Sequence, residues 1–336
     1  MAQVEESKDP KAQYAKMGNV VSFNISGMKM SDISSHKAPL LAMEKVVEDK
    51  VKSILTKLKS SGEKFTDEDF GPTEEDEFGG KSLYGAKSPD PAGHSKYPSP
   101  ESLSWIRPQY ADDTFDSKDG GAGEDSGQGE DCGEEDDMDD DMDDFEDYGG
   151  ALYDESESFC TEGRLFVDGS SSGDVIQGQL GDCWFLGALA VMGTRENLLQ
   201  ECFWKLDAFK EHGMFVCRFF KDSYLIYVII DDRIPCNAKN SNITFAKCKD
   251  ANELWVPLIE KAYAKLHGNY KALIGGYSHN ALGDMTGYSP RLVGLKPGHM
   301  GYVLTPSLTL TRTLTLTLNR TLTLTLTRTR TGTPTN

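Results

Sequence analysis

Cys183 lies in the run Gln177-Gly-Gln-Leu-Gly-Asp-Cys183-Trp184, where residue types and spacing are best suited to chemistry. The apolar stretch that follows predicts a buried helix over 183–193, with Cys183 in its first turn. Unpaired N–H groups and the helix dipole at that position favour thiolate over thiol, and the thiolate is the nucleophile. The Gln177 amide and the Cys183 backbone N–H are the two donors needed to hold an oxyanion on a carbonyl under attack. Gly178 and Gly181 are expected to let the backbone turn tightly between them. A free Cys on an apolar helix is more often a small buried hydrophobe. The company of Gln177, two glycines and Trp184 is what argues for a nucleophile here.

Charge is distributed unevenly. Residues 161–304 carry 15 Lys and Arg against 15 Asp and Glu, whereas residues 1–160 carry 16 against 39. The net charge of −19 therefore belongs to the N-terminal part, not to the block that holds Cys183. No clustered Lys/Arg surface is present to neutralise phosphates, which argues against a nucleic-acid partner. The seven cysteines are odd in number and irregularly spaced, without the CxxC or CxxH pairs of zinc sites. No charged-then-apolar leader opens the chain, so free thiols in a reducing, cytoplasmic compartment are expected. Apolar runs fall far short of the roughly 18 residues a membrane span requires, so no transmembrane segment is expected.

The elements that must position Cys183 are legible around it. Residues 214–220 and 224–230 read as strands, bounded by Gly213 and Asp231-Asp232. A short helical stretch is expected near 196–206. A long helix is expected over 252–267, with the stripe Leu254, Trp255, Leu258, Ile259, Ala262, Tyr263, Leu266, a cap at Asn252 and a stop at Gly268. Further upstream, residues 38–59 place Leu40, Leu41, Met43, Val46, Val47, Val51, Ile54, Leu55 and Leu58 at helical spacing. This amphipathic helix is expected to pack on the protein's own body. A peripheral contact with a partner or membrane surface through it stays open. Residues 1–36 are polar and expected to be loose. Residues 61–111, rich in Pro and Gly, read as an extended segment wrapped on a core.

Two segments are biased in composition. Residues 117–150 are rich in Gly, Asp and Glu, self-repel, and are expected to form a disordered insertion. They lack the spacing of a dedicated calcium loop. Residues 308–331 repeat Leu, Thr and Arg with a period of eight. Regularity this strict is expected of translated simple-sequence DNA rather than of an evolved element; a β-prone tail is the competing reading.

Several long motifs, in order, resemble the calpain family of cysteine peptidases. They are Val167-Asp-Gly169, Asp174-Val-Ile-Gln177 through Cys183-Trp184, Ile230-Asp-Asp-Arg233-Ile-Pro235, Asn252-Glu253-Leu-Trp255, Leu258 through Gly268, and Asp284-Met-Thr-Gly287. Phe65, Phe70, Ser82-Leu83 and Trp105-Ile-Arg107-Pro108 resemble the lead-in of such cores. The resemblance implies an α+β, papain-like fold of the calpain type. The helical Cys-bearing lobe is present, and the second, His/Asn-bearing lobe is largely missing. The implied organisation is an N-terminal polar segment and helix (1–60), a lead-in (61–116), an acidic insertion (117–160), the first catalytic lobe (161–290), a remnant of the second lobe (291–307) and the repeat tail (308–336). By the same resemblance the chain is a calcium-dependent cysteine endopeptidase acting on protein substrates. Cys183 is the nucleophile and Gln177 the oxyanion donor; Ca²⁺ is held by Asp174 and Glu253 side chains with the Val167 and Gly169 carbonyls. Without the resemblance, Glu253 reads as an ordinary helix-start acid. The family's motifs end near Gly287. His299, in Gly298-His299-Met-Gly-Tyr302, is the candidate base, and His267 and His279 are worse ones. No Asn-Pro-Trp-Gly-like run follows, so peptidase activity is expected to be weak or absent unless another chain supplies the base. The alternative is a catalytically inactive module that binds partners in response to Ca²⁺.

Overall fold

The computed structural model describes residues 17–33, 37–85, 97–110, 160, 162–206 and 208–289. The expected acidic insertion, the second-lobe remnant with His299, and the Leu-Thr repeat lie outside these residues. In chain order the regular elements are β1 (Val20–Asn24), α1 (Ala38–Ser61), α2 (Gly80–Tyr84), β2 (Leu103–Ile106), β3 (Val175–Ile176), α3 (Cys183–Gly193) and α4 (Glu196–Gln200). They continue with β4 (Met214–Lys221), β5 (Tyr224–Asp231), β6 (Ile234–Asn237), β7 (Lys247–Cys248), α5 (Trp255–Leu266) and α6 (Ser278–Thr286).

The main sheet is antiparallel, in the order β1-β5-β4. Its strands β4 and β5 are nearly continuous apolar runs because both of their faces are covered. Phe215, Cys217, Phe219, Ile226, Val228 and Ile230 enter the large core shared with α3 and α5. Met214, Val216, Leu225, Tyr227 and Ile229, one step out of phase, enter a second core built with α1. Thus the 38–59 helix does pack on the body of the protein, through Leu40, Val47 and Val51. Leu41 and Val46 of its predicted stripe are each 51% exposed.

Two expectations change. The stretch 1–36 is not uniformly loose: Val20–Asn24 forms an edge strand, in register from Val20 opposite Val228 to Asn24 opposite Tyr224. Five residues carry too little pattern to announce a strand; the exposed edge of β5 supplies the hydrogen bonds. Second, Asn252 does not cap the long helix. Leu254 stands at that position without a side-chain cap, while the Asn252 side chain accepts from the Glu162 N–H at 3.2 Å.

The 61–110 segment is largely irregular and is fastened to the core by buried charge. Asp67 accepts from Lys265 Nζ, which also donates to the Ile229 carbonyl at 2.9 Å. Arg107 pairs with Asp232, and Lys261 with Asp231. Every residue of α5 is buried, so its polar side meets this ion-pair layer instead of water. Asp231 and Asp232, which the sequence suggests as a strand boundary, are fully buried members of it.

Candidate functional site

Cys183 is the first residue of α3, and Asp182 is its N-cap. Helix α3 is held from behind by apolar contact: Phe185 stacks on Tyr263 with ring centroids 4.3 Å apart. The buried Trp184 donates from Nε1 to the Leu273 carbonyl at 2.7 Å. The turn before Cys183 is tied to the loop after α5 through the Gly275 N–H to Gly181 O bond of 3.0 Å. Burial separates the cysteines sharply. Cys183 is exposed, whereas Cys160, Cys202, Cys217, Cys236 and Cys248 are buried; all six are free. Burial pushes the Cys160, Cys202 and Cys236 thiols up to about 12, and Cys217 and Cys248 well above the usual thiol value. A buried thiol of that kind does not ionise near neutrality and is inert as a nucleophile.

Gln177 follows the two-residue strand β3, which pairs with β7. Its Nε2 donates to Leu180 O at 2.8 Å, so one amide hydrogen fixes the side chain over its own loop. The loop is also fixed from outside by the Gln179 N–H, which donates to Thr244 O at 2.9 Å. The run bends at 179–181, Gly181 among the bent residues, and Gly178 has a further role. Neither Gly178 nor Gly181 has a positive φ. Gly178 is required because the 244–245 backbone lies where a Cβ would be: the Thr244 oxygen would sit at 2.5 Å and the Phe245 oxygen closer still.

The four residues implied as calcium ligands come from two converging loops. A parallel bridge between Arg164 and Glu253 lays the 164–169 segment beside the start of α5. The buried Glu253 there accepts from the Val167 N–H at 3.0 Å. Asp168 and Gly169 turn that loop with φ of 54° and 90°. Asp174 accepts from Ser171 N at 2.5 Å and from Ser171 Oγ at 2.9 Å. Burial, and in smaller part the charge of Asp174, raises the Glu253 carboxyl to about 7 against the Val167 N–H bond that lowers it. Two carboxylates lie within each other's field, one of them buried, and carboxylate oxygens are of the kind a hard cation takes. Among the described residues no group of three or more His, Cys, Asp and Glu side chains converges on a metal position. The fit therefore rests on two carboxylates with backbone oxygens.

Burial makes His267 a poor base. His267 is held down to about 4 by burial and then by the Lys221 charge, and its Nδ1 meets the Tyr263 carbonyl at 2.9 Å. His279 lies against the Tyr277 ring. Spacing gives no warning of another group behind the nucleophile. Asp182 and the distant Glu260 are both buried and face one another. The only sequence signal is an acid at each position, one next to Cys183 and one inside a helix otherwise rich in apolar residues.

This is a mixed helix-and-sheet domain with an exposed thiol at the head of a buried helix, the build of a cysteine protease domain. Residues 150–331 match the calpain family of cysteine proteases, and the chain belongs to that family. The matched span runs past Gly287, where the family's motifs end, into the Leu-Thr repeat. Similar proteins include the calpain-type cysteine protease ADL1 of Oryza sativa subsp. japonica, 42% identical over 130 residues, covering 39% of this chain and 6% of that protein. Calpain-5 of Mus musculus is 38% identical over 152 residues, 43% of this chain and 23% of its own. The calpain-type cysteine protease DEK1 of Arabidopsis thaliana is 45% identical over 123 residues, 37% and 6% respectively. The chain thus spans less than a quarter of the length of these relatives. No helix among the described residues is long and apolar enough to cross a membrane.

Proposed function

We propose that this chain carries the nucleophile-bearing lobe of a papain-like, calcium-dependent cysteine endopeptidase that cleaves protein substrates. The observation that carries the reading is the exposure of Cys183 at the first turn of α3, against five buried and inert cysteines. In the reaction the Cys183 thiolate attacks the scissile carbonyl. The negative oxygen is held by the Cys183 N–H and by the second N–H of the Gln177 amide, the first being engaged by Leu180. Collapse of the adduct expels the amine, which takes a proton from an imidazolium and leaves a thioester. Water then adds to the thioester with the imidazole as base, and the acid and the free thiol are released.

The imidazole falls to the segment beyond residue 289, with His299 as candidate. The reading assigns this chain the nucleophile and oxyanion half of the machinery, and turnover depends on that second half. Asp174 and Glu253, with the Val167 and Gly169 carbonyls, would hold Ca²⁺. A bound ion would neutralise the two carboxylates and so tie the 167–174 loop to the start of α5. Because Gln177 follows Asp174 by three residues, ordering of that loop reaches the oxyanion donor. A reducing, cytoplasmic setting accords with the free thiols.

The test is modification of the whole chain by a labelled peptidyl chloromethyl ketone, with the modified residue located by mass spectrometry. Labelling at Cys183 is expected to be faster with Ca²⁺ than with chelator and to vanish in Cys183→Ser. Labelling that ignores Ca²⁺, or that falls on another cysteine, overturns the reading.

A further inference from the structure

We propose that Asp182 and Glu260 share a single proton across a buried carboxyl pair, and that through it they act as positioning residues for the Cys183 turn and the Gln177 loop. The role assigned to Cys183 and Gln177 rests on the function proposed above; the shared proton does not. Asp182 is completely buried, and Glu260 is 1% exposed. Neither oxygen of Asp182 accepts a hydrogen bond from an N–H or hydroxyl of another described residue. The group that faces it is the Glu260 carboxyl. A buried carboxylate without a donor is strongly disfavoured, and two facing carboxylates do not both ionise. One proton between them satisfies both conditions.

The surroundings say which group carries it. Burial drives the Glu260 carboxyl well above the usual carboxylate range, and the nearby charge of Asp182 adds to the rise. Burial raises the Asp182 carboxyl as well, opposed by the hydrogen bond from Glu260. Asp182 heads α3, where the helix dipole favours an anion, whereas Glu260 lies inside α5, so the proton rests on Glu260 and is donated to Asp182. The one remaining negative charge lies at the head of α3, where the helix dipole favours it. Tyr270 is the titratable group that faces both carboxyls, itself within the field of Asp231 and Cys236; burial keeps its phenol protonated. Lys261, next to Glu260, is turned to Asp231 and the Arg233 carbonyl.

The pair grips the catalytic run at both ends. Asp182 is the N-cap of α3, and its carbonyl accepts from the Phe185 and Leu186 N–H groups. The Glu260 oxygens accept from the Ala246 N–H at 3.2 and 3.1 Å. Ala246 ends the 244–246 segment that lies against Gly178 and receives the Gln179 N–H.

Two measurements on the whole chain test this. The first is the infrared carbonyl band of a protonated carboxylic acid at neutral pH. The wild-type band is expected to lose intensity in Glu260→Gln, whose amide can still donate to Asp182 and accept from Ala246. No change in that band overturns the shared proton. The second is the pH profile of Cys183 alkylation by iodoacetamide. Glu260→Gln is expected to keep the wild-type profile, while Glu260→Leu weakens binding of a peptidyl aldehyde, which needs the Gln177 loop in place, at least about tenfold. Asp182→Asn keeps an acceptor but removes the charge. Removing a negative charge next to Cys183 in the chain should lower the alkylation midpoint. Should Glu260→Leu fail to fold, Glu260→Gln and Asp182→Asn decide the matter. A Glu260→Gln profile displaced from wild type, or an unchanged Asp182→Asn midpoint, overturns the positioning role. If wild-type Cys183 reacts no faster than the buried cysteines, the nucleophile reading fails, while the infrared band still reports on the proton.

Discussion

Replacing Gly178 by Ala tests whether the 244–246 segment supports the Gln177 loop. The added Cβ would lie 2.5 Å from the Thr244 carbonyl oxygen and nearer to that of Phe245, where real Cβ contacts essentially never fall under 3.0 Å. Moving from 2.5 to 3.0 Å requires a shift of at least about 0.5 Å, and more for Phe245. Both obstacles are backbone, so no side chain can swing away. The segment is also pinned, by Thr244 N–H to Pro235 O at 3.0 Å and by the Phe245 ring stacked on Tyr270 at 4.6 Å. Overpacking of this kind costs about 1–3 kcal/mol. Losing the Gln179 N–H to Thr244 O bond adds about 1 kcal/mol. A total of about 2–4 kcal/mol should appear as a lower urea midpoint for Gly178→Ala. Displacing Gln177 by about 0.5–1 Å should slow reactions that need the oxyanion hole by about 10- to 100-fold. Iodoacetamide, which forms no oxyanion, should alkylate Cys183 at a nearly unchanged rate, while a peptidyl aldehyde should bind more weakly. Gly181→Ala is the control. Its Cβ would meet Ile274 Cγ2 and Tyr97 Oη at 3.4 Å, ordinary contact with side chains, and should cost under about 1 kcal/mol. The reasoning is refuted if Gly178→Ala unfolds within about 0.5 kcal/mol of wild type, or if the two variants behave alike.

Two further outcomes follow from buried charge. Asp67→Ala leaves Lys265, itself 3% exposed, without its carboxylate. It should cost about 3–5 kcal/mol in urea unfolding, and Asp67→Leu with Lys265→Met should recover most of that loss; equal stability of the single and double variants would contradict this. His267, held down to about 4 in the fold against 6.5 unperturbed, binds a proton more readily when unfolded. Its share of stability is therefore complete above about pH 6.5 and disappears as the pH falls through about 4. Between pH 7 and 4.5 the wild type should lose about 2.5 kcal/mol that His267→Gln does not, and parallel losses in urea titrations would speak against a neutral buried imidazole.

Much of the nucleophile's setting is legible in the order of residues. An unbroken apolar run is sufficient to announce α3 over Cys183–Gly193, and the two apolar runs at 214–220 and 224–230 announce β4 and β5. These patterns are local, and the periodicity of side chains along a helix or strand is written in neighbouring residues. Other features depend on residues far apart in the chain, and only the tertiary structure decided them. Val20–Asn24 becomes a strand because β5 offers an edge. Asp67 and Lys265 are interior because they meet each other. Gly178 is needed because the 244–245 backbone passes beside it, though the sequence suggests a turn. Both the neutral and the ionised states of Asp182 and Glu260 are set by their facing one another inside the core. What the sequence determined by itself is that a cysteine heads a buried helix, with a glutamine and an acid just ahead of it. What the tertiary structure decided is that this thiol, alone among the described cysteines, stays in reach of solvent, and that a second acid stands behind it. Burial and charge pairing are properties of three-dimensional neighbours, and no local pattern of residues encodes them.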